Sequence, residues 1–256
     1  MHKDAFLTFD ESGATPPPAL DRSSALFLDI DGTLVEIAPR PELVQVPPGL
    51  PGLLARIAAE REDALALISG RPLEQIDRLF QPWRGAAAGT HGIERRRADG
   101  TVDRVLDSAS AAALDSIRPK FAALAADDER LVYEDKAGTL TLHYRAAPER
   151  EPEICAYVAA LQRAAPDLRL IRGKMVVELQ PSTVNKGLAI AAFLRETPFL
   201  GRRPVFVGDD TTDEDGFAEI RRQGGIGVRV GPVRATAATH SLPSVAAVLA
   251  WLERTG

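Results

Sequence analysis

The 256-residue chain is 45% apolar and 26% charged, proportions of a globular protein with a sizeable core, and its net charge of −5 offers no electrostatic footprint for nucleic acid or an anionic membrane surface. A single cysteine, Cys155, excludes an internal disulfide, and no stretch approaches the roughly 18 uncharged apolar residues of a membrane span. The N-terminus has no basic segment leading into a long apolar run, so no secretory leader is expected and a cytoplasmic location is the default.

Residues 1–23, with Pro16-Pro17-Pro18, read as a loosely held tail. Ala25–Leu28 is a continuous apolar run, the pattern of a strand buried on both faces, and it leads into Asp29 and Asp31; the strand is read as Leu26–Ile30. Residues 35–47 read as a loop, and Pro48–Glu62 has helical apolar spacing. Ala64–Ile68 is a second buried strand running into Ser69-Gly70-Arg71. Pro72–Phe80 is a helix, and alanine-rich Gly85–Gly89 a third strand. This alternation predicts a doubly wound parallel sheet. From residue 92 the pattern changes. Residues 92–97 and 101–105 read as a hairpin around Asp99-Gly100. Residues 108–181 then read as helix–hairpin twice over, with Pro119 an expected kink or break in the first helix. The parallel pattern resumes with a helix at Asn185–Arg195 and a strand at Pro204–Val207 that ends in Gly208-Asp209-Asp210-Thr211-Thr212-Asp213-Glu214. A helix at 214–222, a strand at 227–230 and a closing helix at 245–252 complete the chain. The expected architecture is a doubly wound parallel-sheet, Rossmann-like α/β core (1–106 and 182–256) with an inserted α+β cap domain (107–181).

Asp29/Asp31, Ser69 and Asp209/Asp210/Asp213 each follow a buried strand, and in a parallel sheet those ends share one edge, where ligands bind. Asp29 and Asp31 suit either a divalent cation or a division of nucleophilic and acid/base work. Asp209 with Asp29 offers hard oxygen ligands for Mg2+. Ser69 can donate to a phosphate, and Lys186 supplies the positive charge that phosphoryl transfer requires. Taken singly, Ser69 is also explained as a turn residue, Lys186 as a solvated side chain and Asp213 as a helix cap.

Strand alternation sorts the insert. Leu140, Leu142 and Tyr144 fall on one face of 139–145, with Thr141, His143 and Arg145 on the other. Likewise Lys174 and Glu178 oppose Met175, Val177 and Leu179, while Glu134 and Lys136 oppose Tyr133. With helices on the apolar face, Glu134, Lys136, Arg145, Lys174 and Glu178 form a polar platform. Such a face is either simply solvated or a sugar site, since mixed donors and acceptors suit many hydroxyls. His143 is a candidate brace of the sheet, and His91 a turn residue.

Asp29-Ile-Asp31-Gly-Thr33-Leu, Ser69, Lys186 and Gly208-Asp209-Asp210 resemble the four motifs of the haloacid dehalogenase superfamily. That resemblance implies an aspartyl-phosphate mechanism: Asp29 the nucleophile, Asp31 the acid and then the base, Mg2+ held by Asp29, Asp31 and Asp209, and the insert a cap. Ser69-Gly70-Arg71, His91-Gly-Ile-Glu94, Glu134-Asp-Lys136, His143-Tyr-Arg145, Gly173-Lys174 with Glu178, and Asn185-Lys186-Gly187 narrow the resemblance to the trehalose-6-phosphate phosphatase family. It implies a phosphoric monoester hydrolase acting on a small sugar phosphate, with Arg71, Glu134, Lys136, Arg145, Lys174 and Glu178 binding substrate; a monomer is expected. The rival readings are a phosphatase of another sugar phosphate and an inactive, phosphatase-like regulatory module.

Overall fold

The computed structural model describes residues 15–38, 41–136, 138–173, 175–232 and 235–254; most of the expected N-terminal tail, and Lys174, lie outside them. The chain opens on β1 (Ala25–Leu28), α1 (Leu50–Glu60), β2 (Leu65–Ile68), α2 (Leu73–Phe80), β3 (Ala86–Gly89), β4 (Glu94–Arg96) and β5 (Val102–Arg104). Next come α3 (Ser108–Ala126), β6 (Val132–Lys136), β7 (Thr139–His143), α4 (Glu151–Arg163), β8 (Leu168–Gly173) and β9 (Val176–Pro181). The last part holds α5 (Lys186–Phe193), β10 (Pro204–Gly208), α6 (Glu214–Arg222), β11 (Ile226–Val230), β12 (His240–Leu242) and α7 (Val245–Glu253). Internal contacts divide the chain into two compact units, one formed by the residues up to Asp103 together with those from Asn185, the other by Arg104–Val184.

The larger unit is built on a sheet of order β12-β11-β10-β1-β2-β3-β4-β5. Neighbours from β12 to β3 run parallel, and β4 returns antiparallel to β3. Every residue of β1 is buried, which explains its unbroken apolar run: Leu26 and Leu28 pack with α1, α2 and α7, while Ala25 and Phe27 pack with α5 and α6. From β1 the strands progress outward one way through β2 and β3 and the other way through β10, β11 and β12. The β1/β10 boundary is therefore a topological switch point, the place where an open α/β sheet leaves a crevice for a ligand.

Two features depart from what the apolar pattern suggests. β12 has only three residues, too few to show a period. In β4, Glu94, Arg95 and Arg96 are all buried. Arg96 reaches Asp77 at 2.7 Å, and Arg95 meets both Asp103 and Glu196 at 2.9 Å with its guanidinium 5.3 Å from the Phe193 ring centroid. Buried charge is tolerated here because each cation has carboxylate partners.

The smaller unit is an antiparallel sheet of order β6-β7-β9-β8. Leu140, Leu142, Val177 and Leu179 form its core with Leu114, Ile117 and Phe121 of α3 and Ile154 and Val158 of α4. α3 begins at Asp107, whose side chain accepts from the Ser110 amide at 2.8 Å. Of the kink or break expected at Pro119, the break does not occur: the helix continues through the proline. Buried residues on both sides of the proline, Ile117 and Phe121, anchor it to the sheet and offset the missing amide. Among the described residues no helix is long and apolar enough to cross a membrane.

Candidate active site

Asp29 stands at the end of the most buried strand, and its amide still donates to the Val207 carbonyl of β10 at 2.9 Å. Its carboxylate is held from two sides. Oδ2 accepts from Thr33 Oγ1 at 3.2 Å, and Oδ1 accepts from Lys186 Nζ at 2.7 Å. Lys186 is the first residue of α5, and Asn185 caps that helix by accepting from the Leu188 amide at 2.7 Å. The capped start points the lysine inward, and only 3% of it is exposed. Its ammonium also donates to Asp213 Oδ1 at 2.6 Å. The other oxygen of Asp213 accepts the amides of Asp209 and Asp210, both at 2.9 Å, which shapes the turn after β10. Arg229 of β11 donates to the Asp209 carbonyl and meets Glu214 at 3.1 Å, bracing that turn from behind.

Asp29, Asp209 and Asp213 each present a carboxylate oxygen, all within 4.8 Å of one another. Three carboxylates around one ammonium leave a surplus of negative charge. Burial pushes the Asp29 carboxyl well above the usual carboxylate range against the pull of Lys186, with Asp213 and Asp209 adding to the rise. Burial and then Asp213 push Asp209 up to about 7. For Lys186, burial acts to lower the pKa, but Asp213 and Asp29 together outweigh it and hold the ammonium charged. Hard oxygen donors with unbalanced negative charge fit a divalent cation. Gly32 makes the cluster possible: its φ is +79°, and a Cβ there would lie 2.2 Å from Asp209 Oδ2.

The side chain of Asp31 lies outside this three-carboxylate cluster. Both its oxygens accept from Arg71, Oδ2 from Nε and Oδ1 from Nη2, each at 2.7 Å. Ser69 follows β2 and is 1% exposed; its Oγ accepts from the Arg71 amide at 3.1 Å. Glu94 accepts from the Leu73 amide at 3.0 Å and so caps α2 from a neighbouring strand. His91 passes beside Gly70, where a Cβ would meet its Nε2 at 2.6 Å.

In the smaller unit, Glu134, Lys136, Thr141, His143 and Glu178 share the sheet face opposite the apolar core. Glu134 lies 3.1 Å from Lys136 and 3.4 Å from His143. The His143 ring is the main influence that holds Glu134 down to about 2, against burial and with help from Lys136. Glu178 accepts from Thr141 Oγ1 at 2.8 Å. Arg145 falls beyond the end of β7 and is exposed. The residues that the motifs alone leave without a role are Asp213, Thr33, Glu94 and Arg229. Asp213 is visible in the strand-end cluster, but helix capping accounts for it equally well; it stands at the N-cap of α6, yet its carboxylate makes no cap hydrogen bond to that helix and is spent instead on Lys186 and the amides of Asp209 and Asp210.

The sequence model of the trehalose-phosphatase family matches residues 27–246. The chain belongs to the trehalose-phosphatase family. A probable trehalose-phosphate phosphatase of Sinorhizobium fredii is 45% identical over 226 residues, 88% of this chain and 84% of the relative. The trehalose-6-phosphate phosphatase of Escherichia coli is 41% identical over 239 residues, 93% and 89% of the two chains. In fold, the chain is similar to the C-terminal domain of a C. albicans trehalose-6-phosphate phosphatase, with a TM-score of 0.81 at 22% identity over 95% of this chain and 99% of that one. The haloacid dehalogenase-like architecture expected from the motifs is thus that of the trehalose-phosphatase family, and Asp29, Ser69, Lys186 and Asp209 all lie within the matched span.

Proposed function

We propose that this chain hydrolyses trehalose 6-phosphate to trehalose and phosphate through an aspartyl-phosphate on Asp29. The observation that carries the reading is the Asp29 carboxylate, fixed at the β1/β10 switch point by Lys186 and flanked by Asp209 and Asp213. Asp29 attacks phosphorus while Asp31 gives a proton to the leaving sugar oxygen. Asp31 then takes a proton from the water that splits the acyl phosphate. Lys186 stabilises charge on the transferring group, and Ser69 and Arg71 orient it. Mg2+, held by Asp29 and Asp209 with Asp213 completing the set, would neutralise the clustered carboxylates and polarise a phosphoryl oxygen. We propose that the chain acts as a monomer. Phosphate release measured over a panel of sugar phosphates, with Mg2+ and with EDTA, tests the proposal. Trehalose 6-phosphate should lead the panel and EDTA should abolish release; preference for another sugar phosphate, or full activity after chelation, would overturn it.

Metal binding should depend on pH through Asp209. Its carboxyl titrates at about 7 in the metal-free protein, and the cation needs it ionised. Mg2+ affinity is therefore expected to weaken by about tenfold from pH 8 to pH 6, with a proton released on binding. Calorimetric titration in buffers of different ionisation enthalpy reads both quantities, and a flat profile would refute the link.

Sugar selection we assign to the polar face of the smaller unit. Glu134, ionised at neutral pH, and Glu178 are acceptors suited to sugar hydroxyls. Removing one hydrogen bond to a charged group costs about 1.5–3 kcal/mol, so Glu134→Ala should lower kcat/KM on trehalose 6-phosphate by about one to two orders of magnitude. Hydrolysis of p-nitrophenyl phosphate, which lacks those hydroxyls, should change far less. Equal losses on both substrates would place Glu134 in the chemistry or the fold.

A further inference from the structure

The resting structure commits Arg71 to a carboxylate. Its guanidinium grips Asp31 through two parallel hydrogen bonds of 2.7 Å, and the Arg71 amide is tied to Ser69 Oγ. Nη1 has a longer contact, 3.4 Å, with Gln75 Oε1. The arginine is 8% exposed, whereas over a third of the Asp31 side chain reaches solvent. The base of the arginine is therefore fixed and the carboxylate is the more accessible partner. A guanidinium fork fits two oxygens of a phosphate as well as it fits a carboxylate, but the Nε/Nη2 edge cannot hold both at once. Ser69, the expected donor to phosphate, lies two residues before Arg71 in the same turn, and its Oγ accepts from the Arg71 amide.

We propose that Arg71 is a positioning residue that exchanges partners: it restrains the Asp31 carboxylate in the resting enzyme and passes to the incoming phosphate, which frees that carboxylate to take up from water the proton it then gives to the leaving oxygen. The inference rests on the phosphohydrolase reading above. It makes phosphate binding and Asp31 release one coupled equilibrium, so each must oppose the other. An acid/base that is unlocked only by a bound phosphoryl group has no proton-transfer role in the empty site.

The test is a double-mutant cycle read by calorimetric binding of inorganic phosphate in the presence of Mg2+, which does not require turnover. With Arg71 present, Asp31→Ala removes the competitor and should tighten phosphate binding by about three- to tenfold. In an Arg71→Gln background the same change should yield little or no gain. Arg71→Lys keeps the positive charge but loses the fork, and should also remove most of the gain; it serves as the second variant if Arg71→Gln does not fold, as judged by circular dichroism and thermal melting. An equal gain in all backgrounds would mean that Asp31 repels phosphate only through its charge, and the exchange would be overturned while the hydrolase reading stands. No gain from Asp31→Ala with Arg71 in place would overturn it as well. Absence of phosphate binding by the unaltered protein would overturn the exchange, because phosphate could then not displace Asp31, whereas the hydrolase reading is judged separately by release of phosphate from trehalose 6-phosphate.

Discussion

Asp29→Asn should reduce phosphate release from trehalose 6-phosphate by about a thousandfold or more while leaving the fold intact. The substitution is nearly isosteric and removes the nucleophilic oxygen. The amide can still accept from Lys186 or Thr33, and Lys186 keeps Asp213 as a charged partner. A melting temperature close to that of the unaltered protein is therefore expected alongside the lost turnover. In the unaltered protein, beryllofluoride should form an adduct at Asp29. Undiminished turnover in the variant, or an adduct on another residue, would refute the covalent role.

Lys186→Met should abolish turnover to a similar degree and destabilise the protein as well. The ammonium is buried between Asp29 and Asp213, and stripping a buried cation from its partners costs roughly 3–5 kcal/mol because the carboxylates are left uncompensated. That loss should depend on pH. Asp209 titrates at about 7 when folded against 3.8 for a free carboxyl, so it binds its proton more tightly in the folded state. Such a group favours the folded state at acid pH, and the contribution disappears as pH rises through about 7. Without Lys186 to oppose them, the carboxyls rise further. The gap in stability between variant and unaltered protein should consequently be larger at pH 8 than at pH 5, measured by urea unfolding in EDTA. A gap independent of pH would mean that Lys186 contributes through packing alone.

The strand-end carboxylates are legible in the sequence because the parallel strands that carry them are buried on both faces. An unbroken apolar run as short as Ala25–Leu28 or Pro204–Gly208 fits the interior of a covered sheet, and polar residues stand out where it stops. The alternation in Thr139–His143 is legible for the opposite reason, since helices cover only one face of that sheet. Contacts between distant segments are not legible. Arg95 and Arg96 look like solvated strand residues until Asp77, Asp103 and Glu196 are brought to them. Asp213 looks like a helix cap until α5 delivers Lys186, and nothing in Asp29-Ile-Asp31 announces that Asp31 is gripped by an arginine forty positions later. Periodicity reports which face is buried; the partner of a buried charge is set by topology.

The amide of Asp29 belongs to the β1–β10 ladder, in the interior of a sheet covered on both sides. Amides in such positions exchange with solvent only when the whole cooperative unit opens. The nucleophile is thus mounted on the part of the chain that gives way last. Local fraying of loops or outer helices leaves its placement unchanged, and irreversible loss of activity on heating should track exchange at Asp29 and Val207 rather than the earlier loosening of peripheral segments. Residual activity in a partly denatured sample would then count intact sheets, one molecule at a time.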